Sequence, residues 1–139
     1  ASDVYKRQGN VILFYGEIGV GKTTFIKSLV NSLEKIDKKN ISEITSPTFS
    51  LMNQYKLNKF DIHHYDLYRL KSEKDILSLN IFEDISDKIV LIEWPEILGE
   101  HKPRNTIDIN FEYGENFNSR YLTISAYEKL KIFDEFKSL

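Results

Sequence analysis

The chain has 139 residues, 41% hydrophobic and 29% charged, with a formal net charge of −2 and no cysteine. That length supports one globular domain with its own core, and the missing thiols exclude disulfide staples and thiolate metal sites. The charge excludes a global basic field for nucleic acid or anionic membrane, and no apolar run approaches the length of a membrane span.

Ala1 to Gly9 have neither a starting Met nor a clear periodicity, so the fold is read from Asn10 onward. Val11-Ile12-Leu13-Phe14-Tyr15 is an apolar, β-rich run that predicts a buried strand. Gly16-Glu17-Ile18-Gly19-Val20-Gly21-Lys22-Thr23 then spells G-x-x-x-x-G-K-T. Glycines at this spacing let the backbone curl so that successive N–H groups form an anion cradle. A lysine then reaches terminal phosphates, and the threonine hydroxyl can ligate Mg²⁺. Phe25, Ile26, Leu29, Val30, Leu33 and Ile36 recur at three- and four-residue intervals, which predicts a helix aimed at the phosphates by its positive end. Asp37-Lys38-Lys39-Asn40 reads as a solvated turn.

Thr45-Ser46-Pro47-Thr48 is a turn-forming cluster. Thr48 is either part of a plain Ser/Thr turn or a switch threonine that senses a γ-phosphate. Phe49, Leu51 and Tyr55 fall on one face at period two, Leu57-Asn58-Lys59 suits a turn, and Phe60 to Leu67 alternates again. The pair predicts a β-hairpin in which Phe60, Ile62, His64 and Asp66 share a face. His64 alone reads as a packed core histidine, and His63 faces the other way. Asp66 has two readings: a cap or ion-pair partner of Arg69, or a group that orients water or an outer-shell Mg²⁺ ligand. Asn58-Lys59-Phe60-Asp61 matches the guanine-reading N-K-x-D pattern, but it falls in a hairpin turn and no D-x-x-G accompanies it, so the match is assigned to chance.

Ser72-Glu73-Lys74-Asp75 reads as a helix start, with Ile76, Leu77, Leu79, Ile81, Phe82 and Ile85 supplying the contacts of one or two short helices. Ile89-Val90-Leu91-Ile92 is a strand buried on both faces that ends on Glu93. A carboxylate there suits a metal-side acid of phosphoryl transfer, the alternative being an exposed acid at a strand end. Thr106 to Phe111 and Tyr121 to Ser125 predict two later strands, and Leu130, Phe133 and Phe136 a C-terminal helix. The expected fold is α/β: a P-loop NTPase with a mixed parallel and antiparallel central sheet flanked by helices.

With these segments in place the chain resembles the bacterial TsaE (YjeE) family of small P-loop ATPases. Four blocks carry the resemblance in order: Gly16 to Thr24; Ser46-Pro47-Thr48-Phe49-Ser50-Leu51 with Tyr55; His64-x-Asp66-Leu67-Tyr68-Arg69-Leu70; and Ile92-Glu93-Trp94-x-Glu96. The resemblance implies Mg²⁺-dependent ATP hydrolysis in the cytoplasm, in association with the TsaD and TsaB proteins, toward threonylcarbamoyladenosine beside the anticodon of ANN-decoding tRNAs. TsaD performs the transfer, so tRNA is met only through the complex. Among the residues it implies, Glu17, Gly19, Val20, Gly21, Lys22, Thr23 and Thr24 hold the nucleotide, with Trp94 and Arg120 beside it. Thr23 and Glu93 hold the metal, and Thr48, Asp66 and Glu93 support catalysis. Val20 stands where the family usually has Ala. Family members begin with a further strand and helix, so residues 1–8 are expected to be a non-family or truncated end and 9–139 a single domain. Two other classes share the phosphate loop: a small-molecule kinase, and an interaction module that binds nucleotide without needing hydrolysis. A kinase lid usually carries several arginines, and this chain has only Arg7, Arg69, Arg104 and Arg120.

Overall fold

The computed structural model describes residues 10–47 and 49–126. The C-terminal helix expected around Leu130 to Phe136, the residues 1–8 and Thr48 lie outside them. In chain order the elements are β1 (Asn10–Tyr15), α1 (Lys22–Ile36), β2 (Met52–Lys56), β3 (Asp61–Asp66), α2 (Glu73–Leu79), β4 (Lys88–Glu93), a 3₁₀ helix (Pro95–His101), β5 (Thr106–Tyr113) and β6 (Arg120–Ala126). Six strands form one sheet in the order β2-β3-β4-β1-β5-β6. The four inner strands β3, β4, β1 and β5 run parallel, and β2 and β6 close the two edges antiparallel. Among the described residues no helix is long and apolar enough to cross a membrane.

The continuous apolar runs of β1 and β4 follow from burial on both faces. Ile12 and Phe14 point to one side with Leu91, Ile62, Ile107 and Ile109, where Ile26 and Val30 of α1 cover them. Val11 and Leu13 point to the other side with Val90 and Ile92, covered by Ile76 of α2, Ile81, Ile85 and Leu98. Each fully buried aliphatic or Phe side chain contributes about 1.5–3 kcal/mol from leaving water, so both layers are needed to hold the sheet. Ile36 is the exception on the apolar face of α1. It falls on the last residue of the helix and is exposed.

Local chemistry sets the ends. Ser72 caps α2, its Oγ accepting from the Asp75 amide at 3.3 Å. Asp37 ends α1 and accepts the Asn58 amide at 2.7 Å, tying the helix end to the β2–β3 turn. The polar stretch expected as a plain solvated turn therefore braces the hairpin. Asn58 to Asp61 lie at the amino end of β3, the sheet edge opposite the phosphate loop, where a base-reading role has no geometry.

One expectation fails in detail, and one element is new. The strand expected from Phe49 begins only at Met52, because Leu51 takes φ +67° and breaks the extended chain. Phe49 is consequently exposed, and its ring lies 4.2 Å from the Arg69 guanidinium. The 3₁₀ helix after Trp94, with Pro95 at its start, has no counterpart in the sequence pattern.

Candidate functional site

The parallel register decides what meets what. Asp66 is paired with Glu93 across β3 and β4, and Phe14 with Glu93 across β1 and β4. Three strands therefore end together, at the edge where parallel sheets present ligands, and the phosphate loop leaves β1 at that edge. The period of two puts Ile62, His64 and Asp66 on the face that carries α1, along with Leu91 and Glu93 of β4. The amino end of α1, with Lys22 and Thr23, lies over the same face.

The loop has the backbone that its glycines allow. Gly16, Gly19 and Gly21 take φ of +145°, +79° and +111°. At Gly16 the requirement is also steric: a Cβ there would meet Val20 Cγ1 at 2.9 Å and the Phe111 carbonyl oxygen at 3.0 Å. The first-turn amides of α1 have no intrahelical acceptor, which leaves them available to an anion.

Lys22 is buried, its Nζ donating to the Gly16 carbonyl at 2.6 Å and lying 3.5 Å from the centre of the Trp94 ring. Burial pushes its ammonium below the usual lysine range, against the pull of Glu93, Glu96 and Asp66. Trp94 takes a left-handed conformation at φ +57° and ψ +54°, a strain on the order of 1 kcal/mol for a non-glycine residue. That kink turns its ring over Lys22 and against Tyr68, with ring centres 4.9 Å apart.

Glu93 is buried at 3% exposure, and both carboxylate oxygens are engaged. Thr23 Oγ1 donates to Oε1 at 2.9 Å, and His64 Nε2 lies 2.7 Å from Oε2. The exposed-acid alternative for Glu93 is thereby removed. Asp66 is also buried; Oδ2 accepts from the Ser46 hydroxyl at 2.7 Å and Oδ1 from the Tyr68 amide at 3.0 Å. The Tyr68 contact closes a local turn and is not the helix cap of the alternative reading, since residues 67–70 form no helix and the next one is capped by Ser72. The ion pair with Arg69 does not form, since Arg69 lies over Phe49.

Lys22, Thr23, Thr24, Gly19, Gly21, Asp66, Glu93 and Trp94 line one cleft of about 370 Å³, together with Ser46 and Tyr68. Glu17 is exposed outside it, in an open hollow with Tyr15 and Trp94. Val20 is buried beneath the loop. Arg120 stands behind the loop: Nε donates to the Val20 carbonyl at 3.0 Å, and its guanidinium lies 4.2 Å from the Tyr113 ring. There it lines a second hollow of about 620 Å³ with Thr24, Phe25 and Phe117. The sequence pattern assigns Ser46 and His64 no site role, although the H-x-D spacing puts His64 on the face of Asp66.

A mixed, mainly parallel sheet with a glycine cradle between its central strand and first helix defines a P-loop nucleotide-binding protein. The fold agrees with that of the solved Bacillus subtilis YdiB, at a TM-score of 0.67 over 98% of this chain and 85% of that one, with 19% identity. The family model described as threonylcarbamoyl adenosine biosynthesis protein TsaE matches residues 1–122. Relatives named tRNA threonylcarbamoyladenosine biosynthesis protein TsaE include one from Rickettsia conorii, 36% identical across 88% of this chain and 67% of its own length. Another, from a Nostoc species, is 38% identical across 86% of this chain and 72% of its own length. The chain belongs to the TsaE family.

Proposed function

We propose that the chain binds ATP with Mg²⁺ in the Lys22–Glu93 cleft and hydrolyses it, serving threonylcarbamoyladenosine formation on tRNA together with TsaD and TsaB. The observation that carries this reading is the meeting of Lys22, Thr23, Asp66 and Glu93, from three separate segments, on one cleft beside the glycine loop. The donor chemistry fits the metal. A hydroxyl and a carboxylate 2.9 Å apart are hard oxygen donors, and Mg²⁺ is usually held by one or two such groups plus phosphates and water. When bound, the ion supplies positive charge to the β- and γ-phosphates.

The loop amides receive the phosphate oxygens, and Lys22 exchanges the Gly16 carbonyl for them. Asp66 orients the attacking water. Thr48, between Pro47 and Phe49, serves as the switch that reports loss of the γ-phosphate. The base lies behind the loop, in the hollow with Arg120 and Phe117. TsaD carries out the transfer chemistry and the tRNA contact, and the protein works with it in the cytoplasm.

The test is phosphate release from ATP by the purified protein, alone and with TsaD and TsaB, with no acceptor added. Slow release alone and faster release in the complex are expected. Equal rates would contradict the partnership. Turnover that requires a small-molecule acceptor would make the protein a kinase. Full tRNA modification by a variant that binds ATP without hydrolysing it would make it an interaction module.

A further inference from the structure

We infer that His64 is a positioning residue: its Nε2–H holds the Glu93 carboxylate in the orientation that receives the metal. The inference rests on Glu93 being a metal ligand, as proposed above.

His64 has no exposed surface, and Nε2 is 2.7 Å from Glu93 Oε2. The contact arises from the sheet itself. His64 is in register with Leu91, and Glu93 is the next residue of β4 on the same face. The other ring nitrogen, Nδ1, is buried and has no hydrogen-bond partner among the described residues. A proton there would be a buried donor with no acceptor, so the ring proton belongs on Nε2, facing the carboxylate.

The orphaned Nδ1 also argues against a packing role. A leucine or phenylalanine would fill this space without stranding a polar atom, so the cost is tolerated for the one N–H that the ring supplies. Glu93 has three side-chain torsions to fix. Thr23 holds Oε1 from the helix end that meets the nucleotide. His64 holds Oε2 from inside the sheet, so this anchor does not depend on the state of the loop. An imidazole N–H that orients a ligating carboxylate acts as hydrogen-bond partners behind metal ligands generally do, and loss of such a partner lowers metal affinity by about 10–100-fold.

The experiment compares the wild type with His64→Phe, which keeps a ring and loses the donor, and His64→Gln, whose amide N–H reaches toward the same oxygen. ATP binding is measured by calorimetry across a Mg²⁺ titration and again in excess chelator, with melting temperatures alongside. In His64→Phe the Mg²⁺ concentration for half-maximal tightening should rise about tenfold or more, while metal-free ATP affinity stays unchanged. His64→Gln should recover most of the difference. A folded His64→Phe with wild-type Mg²⁺ dependence overturns the inference, as does an equal loss of affinity with and without metal. Should His64→Phe fail to fold, nitrogen NMR of the wild-type ring decides: a proton on Nε2 supports the inference, and one on Nδ1 overturns it. Wild-type binding that ignores Mg²⁺ altogether would remove the metal-site reading itself, a result distinct from failure of the variants alone.

Discussion

Replacing Asp66 separates its two jobs. Its carboxylate accepts from Ser46 and from the Tyr68 amide, and so holds the two loops that flank the cleft. In Asp66→Ala both donors lose this acceptor. Ser46 is half-buried and Tyr68 is exposed, so water can replace part of the loss, and the low end of the usual penalty applies to each. The sum is about 2 kcal/mol, or on the order of 8 °C in melting temperature for a domain of this size. Asp66→Asn keeps both contacts, since the amide oxygen accepts from Tyr68 and the amide nitrogen donates to the Ser46 oxygen. It should melt within a few degrees of the wild type and still bind ATP. If the charge orients the attacking water, single-turnover phosphate release should fall about 10²-fold or more in both variants. Differential scanning fluorimetry and rapid-quench assays with the partner proteins read the two effects separately. An Asp66→Asn enzyme that hydrolyses at the wild-type rate would reduce Asp66 to a brace for its loops. An Asp66→Ala protein that melts with the wild type would refute the hydrogen-bond reasoning instead.

Lys22→Met should weaken ATP binding by about 10–100-fold through loss of a charge-assisted hydrogen bond, without lowering the melting temperature, because burial already disfavours the ammonium. Glu93→Ala should abolish Mg²⁺-dependent turnover while sparing metal-free ATP binding; unchanged hydrolysis would take Glu93 out of the metal site. Gly16→Ala should cost about 2–4 kcal/mol in a denaturant melt, since its φ of +145° and a 3.0 Å approach to the Phe111 carbonyl leave no cheap relaxation. The His63 imidazole is held below its ordinary value of 6.5, first by burial and then by Lys88. The unfolded chain therefore binds the proton more readily, so stability is full above about pH 6.5 and declines as pH falls toward the folded value. His63→Asn should flatten that slope in urea melts taken across the window, and an unchanged slope would assign it to other groups.

The elements legible in the sequence are those whose pattern is set by burial. Two-face burial wrote the runs of β1 and β4, and period two in Phe60 to Asp66 is enough to put His64 and Asp66 on one face. Ser72 announces α2 through its cap. Misread features depend on backbone states that residue type does not encode. The positive φ values of Leu51 and Trp94 are imposed by their surroundings; the first delays the start of β2, and the second begins an unanticipated 3₁₀ helix. The family resemblance puts Arg120 beside the nucleotide. Its guanidinium stacks on Tyr113, its partner across the β5–β6 hairpin, and its Nε bonds the Val20 carbonyl, a contact with a residue 100 positions away that no local pattern encodes.

The site itself follows from the order of the strands. Thr23 and Glu93 are separated by 70 residues and meet because β4 inserts between β1 and β3. From that slot Glu93 neighbours the strand that launches the phosphate loop and the strand that carries His64 and Asp66. Were β4 on the far side of β1, next to β5, Glu93 would still end a buried strand beside the loop and would keep its local sequence motif. It would lose contact with β3, and with it the His64 hydrogen bond and the pairing with Asp66. The phosphate loop and the H-x-D segment are thus coupled through one carboxylate. Ser46 and Tyr68 bond Asp66, Thr23 bonds Glu93, and those two carboxylates sit opposite each other on adjacent strands, so the loops and the helix end are joined by a short run of direct contacts.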